Sequence, residues 1–339
     1  MTQTWPAADA FRGRDVLVTG GVGFMGLNLV TALLEVGAQV RILGRSWPPS
    51  SGMLADLLHE VRFVKGDIRD ETAVDEAVEG CAFLFNLAGK AGPTASNAAP
   101  FEDLDVNGRG QLVILEACRR LAPQATVVFP SSRLVYAPTD RLPVDESAAT
   151  GPLSVYGVHK LAAEQYHRIY ARLYGLKTVI LRITNPYGRF QRAEQNRYGI
   201  INWFIHLAVH DEALPVFGDG RQLRDYVHVQ DVVRAFLLAG SSPKAVGKTL
   251  NVGGGHPVTF HRMAEMVVHA ASRGHIKSVP WPAEAAKVET GDFSADIRAI
   301  DALLGWRPAI GLEEGITDVV RQYERADERF ENWSAAISG

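Results

Sequence analysis

The stretch DVLVTGGVGFMG, residues 15–26, decides the fold of this 339-residue chain. Its apolar residues 16–18 predict a buried strand, and the glycines after them predict a tight turn into an amphipathic helix. A second strand is predicted over residues 39–43. A glycine turn in this βαβ setting is typical of dinucleotide-binding folds, and a purely structural turn is the alternative. The residues expected to approach a cofactor pyrophosphate here are Gly20, Gly23, Phe24, Met25 and Gly26.

The end of the second strand bears on the choice of cofactor. In dinucleotide folds an Asp or Glu at this point accepts the ribose hydroxyls of NAD, whereas an Arg suits the phosphate of NADP. This chain has Gly44, Arg45 and Ser46 there, with no carboxylate. The local chemistry therefore favours NADP or leaves the choice open, and the alternative for Arg45 is a solvated side chain.

Three later strands end in residues suited to the same cleft. VRFVKGDIRD predicts a strand that ends at Asp67, CAFLFNLAG one that ends at 86–89, and TVVFPSS one that ends at Ser131 and Ser132. In a doubly wound parallel sheet these carboxyl ends open onto one crevice. Further residues expected at the cofactor are Asp67, Ile68, Leu87, Ala88, Gly89 and Asn107.

The composition excludes several classes of protein. A net charge of −3 gives no field for a polyanion, so a nucleic-acid partner is not expected. The two cysteines, Cys81 and Cys118, lack paired spacing and are predicted to be core thiols, as in a reducing cytosol. No apolar run is long enough to span a bilayer, and the histidines and carboxylates show no ligand spacing. We expect a cytoplasmic protein without a metal or a membrane partner.

The segment SVYGVHK, residues 154–160, contains a candidate catalytic pair. Tyr156 and Lys160 are four residues apart, so in a helix an ammonium lies beside a phenol. A tyrosine that acts as a base near pH 7 needs its pKa lowered by about three units, or roughly 4 kcal/mol, which a nearby cation helps to supply. The alternative is an amphipathic helix with the tyrosine in the core and the lysine in water.

Seven blocks give the chain a specific resemblance. They are TGGVGFMG, NLAG, SSRLVYA, YGVHK, RITNPYG, FGDGRQLRDYVHVQDVVRA and LGWRP, in that order. Together they resemble the extended short-chain dehydrogenase/reductase family, above all its nucleotide-sugar epimerases, over about residues 15–323. The resemblance implies an α/β architecture: a Rossmann domain with a doubly wound parallel sheet over 13–188, with a returning segment at about 225–255, and a smaller α/β substrate-binding domain over 189–224 and 256–330.

The resemblance also implies an activity. It predicts epimerisation of a nucleotide-diphosphate sugar, most directly at C4, through a transient 4-keto intermediate with bound NAD. Tyr156 would be the catalytic base, Lys160 its electrostatic partner and a ribose ligand, and Ser132 the hydroxyl that hydrogen-bonds the reacting oxygen. Relatives of this kind pair as homodimers, for which helices over 112–118 and 161–174 are candidates. The predicted substrate-binding residues are Asn185, Arg189, Arg192, Phe217 and Arg224.

Two departures from the family pattern bear on the reaction. Dehydratases of the family have Asp-Glu directly after the catalytic Ser or Thr, where this chain has Arg133 and Leu134, so dehydration is disfavoured. The epimerases tend to have an arginine that reaches the diphosphate where this chain has Glu289. One hypothesis is that Arg189, Arg192 or Arg197 takes over that contact; the alternative is a solvated loop with Arg224 sufficient.

Two other functions remain open at this point. An NADPH-dependent 4-ketoreductase is favoured by Gly44 and Arg45 and opposed by the overall likeness to epimerases. A non-catalytic dinucleotide sensor on the same fold is the second, since fold does not fix function. The presence of Ser132, Tyr156 and Lys160 together argues against the sensor.

Overall fold

A seven-stranded sheet, parallel throughout, forms the centre of the protein. The computed structural model describes residues 5–46, 59–191 and 199–326. Its strands are β1 (Asp15–Thr19), β2 (Gln39–Gly44), β3 (Arg62–Lys65), β4 (Phe83–Asn86), β5 (Thr126–Ser132), β6 (Lys177–Ile183), β7 (Asn185–Tyr187), β8 (Ala213–Phe217), β9 (Leu223–Arg224), β10 (Tyr226–His228), β11 (Thr249–Val252), β12 (Val258–Thr259) and β13 (His275–Val279). The order across the sheet is β3-β2-β1-β4-β5-β6-β11, which confirms the predicted doubly wound parallel sheet.

The described residues also form α-helices, some of which cover the two faces of this sheet. They are α1 (Ala8–Phe11), α2 (Phe24–Glu35), α3 (Glu71–Val78), α4 (Pro93–Ala98), α5 (Pro100–Leu104), α6 (Gly110–Leu121), α7 (Val155–Tyr174), α8 (Ile200–Val209), α9 (Val229–Ser241), α10 (Phe260–Ala271), α11 (Ala283–Ala286), α12 (Arg298–Leu304) and α13 (Leu312–Ala326). The α2 and α9 helices pack on one face of the sheet, and α3, α6 and α7 on the other. Within the described ranges, no helix combines the length and the apolar character that a membrane span requires.

Strand β1 separates the two apolar layers because successive side chains of a strand point to opposite faces. Val16 and Val18 lie in the core beneath α2, and Leu17 lies in the opposite core with Cys81 and Cys118. Both cysteines are buried free thiols, which confirms the prediction that they belong to the core. Burial raises the pKa of Cys81 to about 12, so this thiol is unreactive at neutral pH.

A third apolar core lies outside the central sheet. It is formed mainly by α8, α10 and α13, with Phe204 and Met263 fully buried in it. Strand β11 returns the chain to the sheet beside β6, as the sequence predicts from LNVGGG. The third core draws on both 189–224 and 256–330, the segments assigned to the substrate domain, whose boundaries stay a prediction.

A buried ion pair fixes α7 on the sheet. The Glu164 carboxylate is fully buried and accepts hydrogen bonds from Arg182 Nε at 2.9 Å and Arg182 Nη2 at 2.7 Å, so it joins the helix to β6. Ser131 Oγ donates to the same carboxylate at 2.6 Å from the end of β5. Glu164 lies one helical turn after Lys160 and two turns after Tyr156, on the same face of α7. The ion pair therefore also fixes the position of these two residues on the sheet.

We expect Glu164→Gln to lower the free energy of unfolding by about 3–5 kcal/mol, because it leaves the buried Arg182 guanidinium without a compensating charge. Urea unfolding followed by circular dichroism measures the change. The matched control is Glu76→Gln, which breaks an exposed pair with Arg62 and should cost no more than about 1 kcal/mol. Equal losses in the two variants would contradict this account of the ion pair.

Candidate active site

The glycine turn after β1 leaves no room for a side chain at Gly20 or Gly26. Gly20 has a φ of 66°, and its carbonyl accepts the Gly23 amide at 2.9 Å. A Cβ on Gly26 would lie 2.2 Å from the Gly20 oxygen, and a Cβ on Gly20 would lie 3.0 Å from the backbone of Ala88. Gly23 is the N-cap of the 12-residue α2 helix. A bare backbone at a helix N-terminus is suited to an anion such as a pyrophosphate, and its binding here stays a prediction.

The loop after β4 is held in place by buried polar side chains. Thr19 Oγ1 donates to Asn86 Oδ1 at 2.9 Å and accepts the Ala88 amide at 3.1 Å, which links the ends of β1 and β4. Asn107 accepts the Lys90 amide at 3.1 Å and donates to the Lys90 carbonyl at 2.9 Å. The Asn107 amide therefore shapes this loop, and its direct contact with a cofactor stays a prediction.

The adenosine end of the predicted cofactor site contains a carboxylate that is already paired. Asp67 accepts hydrogen bonds from Arg69 Nε and Nη2, each at 2.8 Å, and these hold the pKa of its carboxyl below the usual value. Ile68 beside it is 6% exposed. A Cβ on Gly44 would lie 3.2 Å from the Phe63 ring, while Arg45 is exposed to solvent. Residues 45 and 46, the last described ones after β2, carry no carboxylate, so the structure does not distinguish NAD from NADP at this point.

Tyr156 and Lys160 are adjacent and both buried. Lys160 Nζ lies 6.0 Å from the centre of the Tyr156 ring and 4.4 Å from that of Phe129. It donates to the Pro130 carbonyl at 2.7 Å, and burial lowers the pKa of Lys160 to about 8. The alternative with the lysine in water is wrong, because Lys160 is 8% exposed.

Ser132 comes close to the same helix. Its hydroxyl accepts the Leu134 amide at 3.2 Å, which closes a 3₁₀ turn over Arg133–Val135. A Cβ on Gly157 would lie 2.5 Å from the Leu134 carbonyl, so this turn packs on the first turn of α7. The Ser96 hydroxyl fixes that turn from the other side by accepting the Tyr156 amide at 2.9 Å. The structure thus brings the ends of β5 and α7 together.

Arg224, the predicted phosphate ligand, is engaged within the protein. Its Nη2 pairs with Glu289 Oε1 at 2.5 Å, and its Nη1 donates to the carbonyls of Leu223 and Gly291, both at 2.8 Å. The sequence predicts that Glu289 would repel phosphates unless it pointed away or met a cation. Arg224 is the cation that it meets.

Arg133 has contacts in this corner of the cleft that the sequence pattern did not predict. Its Nη1 donates to Thr290 Oγ1 at 2.8 Å and its Nε to Asn185 Oδ1 at 3.4 Å. Asn185 in turn donates to the Asp225 carbonyl at 2.8 Å. Arg133 figures in the sequence only as the residue that replaces an acid. Its position next to Ser132 was the signal that could have identified it.

The other predicted substrate ligands are more dispersed. Arg189 packs over the Phe190 ring at 4.3 Å, and its carbonyl accepts Asn28 Nδ2 at 2.8 Å. Arg192 and Arg197 lie outside the described residues, so the hypothesis of a compensating arginine loop stays untested. Phe217 is half-buried with its ring centre 5.4 Å from that of Trp281.

Two histidines, His159 and His228, contact polar groups of the protein itself. His159, next to Lys160, pairs with the buried Asp103 through Nδ1 and Oδ1 at 2.6 Å. His228 is 3% exposed; its Nδ1 accepts the Gln230 amide, and its buried Nε2 has no hydrogen-bond partner among the described residues. Across the described part of the chain, no three His, Cys, Asp or Glu side chains are placed to hold a metal ion.

Comparisons with known proteins place this site in a wider group. The family model described as the NAD dependent epimerase/dehydratase family matches residues 16–253. A putative UDP-glucose 4-epimerase of Methanocaldococcus jannaschii is 33% identical over 309 residues, which cover 90% of this chain and 97% of that protein. The structure of UDP-glucose 4-epimerase from Thermotoga maritima with UDP-glucose superimposes with a TM-score of 0.82 at 30% identity, over 92% of this chain and 99% of that one. For the Thermus thermophilus UDP-glucose 4-epimerase complex with NAD, the TM-score is 0.82 at 29% identity, with the same coverage.

Proposed function

Because the chain belongs to the NAD dependent epimerase/dehydratase family, we propose that it interconverts two nucleotide sugars that differ in configuration at C4. Its family and relatives make it an NAD-dependent enzyme. The observation that carries the residue-level proposal is the buried ammonium of Lys160 beside the Tyr156 ring, at the carboxyl end of β5. In this position a phenol is equipped to act as a base.

Tyr156 is proposed to take the proton from the sugar 4-hydroxyl and to return it after the sugar has turned over. The charge on Lys160 favours the phenolate form, and the low exposure of both residues strengthens that attraction. Ser132 is proposed to hydrogen-bond the oxygen at C4, in its hydroxyl form and in the transient 4-keto form. When bound, NAD supplies the acceptor and donor of the hydride at C4.

The cofactor is proposed to lie across the carboxyl ends of the strands. The bare turn of Gly20, Gly23 and Gly26 would take the pyrophosphate at the N-terminus of α2. Lys160 would also contact the ribose on the nicotinamide side, and Asp67 with Ile68 would lie at the adenine. The paired Asp67 carboxylate would keep its position through Arg69.

The substrate is proposed to be a nucleoside-diphosphate sugar, with uridine as the base because relatives are named for UDP-sugars. Asn185, Phe217 and Arg224 are the proposed anchors, and the half-buried Phe217 and Trp281 rings offer the base an apolar surface. Anchoring by the nucleotide leaves the sugar free to present either face to the cofactor.

Dehydration, which other members of the family catalyse, fits this site less well. Removal of water across C5 and C6 needs an acid and a base beside the sugar, in addition to the tyrosine. The two residues after Ser132 are Arg133 and Leu134, and neither can serve. Epimerisation and reduction of a keto sugar, the two reactions proposed from the sequence, do not need that added acid and base.

A homodimer is proposed on the basis of exposed apolar side chains. Most apolar residues of 112–118 are buried in the core, so α6 cannot supply the apolar dimer face that the sequence suggested there. The exposed ones lie on α5 and α7 instead, with Phe101 82% exposed and Leu173 59% exposed. Patches of this kind mark association sites.

We expect Tyr156→Phe to lower turnover of UDP-galactose to UDP-glucose by about 10²–10⁴-fold, because the variant lacks the proton-transferring oxygen. Turnover is measured by NMR, and NAD content by chromatography. Tyr166→Phe, on the same helix, is the control and should keep its activity. Wild-type protein that retains NAD but turns over no UDP-sugar would favour the non-catalytic sensor.

We expect denatured wild-type protein to release NAD or NADH in nearly one equivalent, because an epimerase keeps its cofactor through a closed redox cycle. Chromatography of the supernatant measures the amount. Protein that is empty, binds added NADPH far better than NADH, and loses that preference in Arg45→Ala would favour the ketoreductase. Arg45→Ala should leave NAD content unchanged if the epimerase assignment is correct.

We expect sedimentation equilibrium to give twice the 36.9 kDa chain mass for the wild type. The double variant Phe101→Glu and Leu173→Glu should give the monomer mass, because it adds charge to the apolar surface. Ala283→Glu, at an exposed site on α11, is the control and should remain a dimer. A monomeric wild type would contradict the dimer.

A further inference from the structure

Arg133 occupies a position between the proposed chemistry and the proposed anchor of the substrate. It directly follows Ser132, and the 3₁₀ turn that carries it packs on α7. Its half-buried side chain reaches Thr290, 157 residues further along the chain. It is also close enough to Arg224 for the two charges to interact. The Arg133 guanidinium therefore links the carboxyl end of β5 to the segment that carries Glu289.

The partners of Arg133 within the described residues are all neutral. They are the Thr290 hydroxyl at 2.8 Å, the Asn185 amide oxygen at 3.4 Å, and the Phe293 ring, whose centre is 5.3 Å away. Its Nη2 donates to no described residue. A guanidinium whose role is purely structural is usually paired with a carboxylate when it is buried. Arg133 keeps a positive charge and a donor that a ligand can use.

The nearby carboxylates are already engaged. Glu289 is bound by Arg224 Nη2 and by the Gly291 amide at 2.9 Å. Asp225 is fully buried and accepts the amides of Gly254 at 2.6 Å and Ala295 at 2.9 Å. Burial and the charge of Arg224 lower the pKa of Arg133 to about 10. The guanidinium is therefore charged at neutral pH, but its charged form is less stable here than it would be in water. An incoming anion would relieve that cost.

We propose that the Arg133 guanidinium binds an oxyanion of the substrate, either a phosphate oxygen of the nucleoside diphosphate or a carboxylate on the sugar. The proposal rests on the proposed function, because it takes a nucleotide sugar as the ligand. Both anions have the planar or forked oxygens that an arginine binds through two donors. Arg224, whose Nη groups are bound to Glu289 and to two carbonyls, is the less available of the two cations.

The test is calorimetric titration of the NAD-loaded protein with UDP, UDP-glucose and UDP-glucuronic acid. Arg133→Gln should weaken binding about 10- to 100-fold, because a charged hydrogen bond is lost. Equal weakening for all three probes would identify the phosphate as the ligand. Weakening for UDP-glucuronic acid alone would identify the sugar carboxylate. Arg133→Lys keeps the charge without the fork and should lose less.

Arg262→Gln is the matched control, since that arginine is exposed and pairs with Glu265 on the surface of α10. It should bind all three probes as the wild type does, and NAD content with thermal unfolding establishes that each variant is folded. Arg133→Gln that binds within twofold of this control would overturn the proposal. Weaker binding of both UDP-sugars with UDP unchanged would indicate neutral hydroxyls and would also overturn it, as would wild-type protein that binds no probe. A protein that binds UDP but interconverts no sugars would contradict the proposed function alone.

Discussion

The placement of the candidate catalytic groups depends on the buried pair of Glu164 and Arg182. A carboxylate without exposure to water is stable only where cations and hydroxyls surround it, and the ends of β5 and β6 supply both. The pair therefore permits only one register of α7 on the sheet. The positions of Tyr156 and Lys160 are fixed with it, because they lie on the same face of the helix as Glu164. Chemistry carried by the helix is held in position by the sheet.

The second constraint is the environment of Lys160. Its ammonium donates to the Pro130 carbonyl and lies near two aromatic rings, and burial lowers the pKa of Lys160 to about 8. Coulomb interactions are strong where water is scarce, so this charge acts on the neighbouring phenol far more than a solvated lysine would. The cost of keeping a charge in such a place is what the ion pair one turn further along the helix helps to offset. Stability and catalysis are thus linked along one face of α7.

Much of the fold could be predicted from local sequence. A single segment of sequence was enough to predict each of three features: the glycine turn at 20–26, the ends of the strands, and the Tyr156–Lys160 spacing on one helix. The contact between Arg224 and Glu289 could not be predicted, because it joins side chains 65 positions apart and depends on how two loops meet. The neutral partners of Arg133 were hidden for the same reason. The helix at 112–118 was a candidate for a dimer face by resemblance, and the sequence alone does not reveal that most of its apolar residues are covered by the core.

The glycine turn shows a further property of the site. Gly20, Gly23 and Gly26 contribute no functional group, yet the backbone around them is so close that one methyl on Gly26 would fall 2.2 Å from a carbonyl oxygen. Elsewhere in the cleft, a substitution removes a charge or a hydroxyl and leaves space that water can fill. At this turn the smallest possible side chain is already too large. Substitutions at the cofactor end of the site are therefore damaging because they add volume, whereas those at the substrate end are damaging because they remove a charge or a hydroxyl.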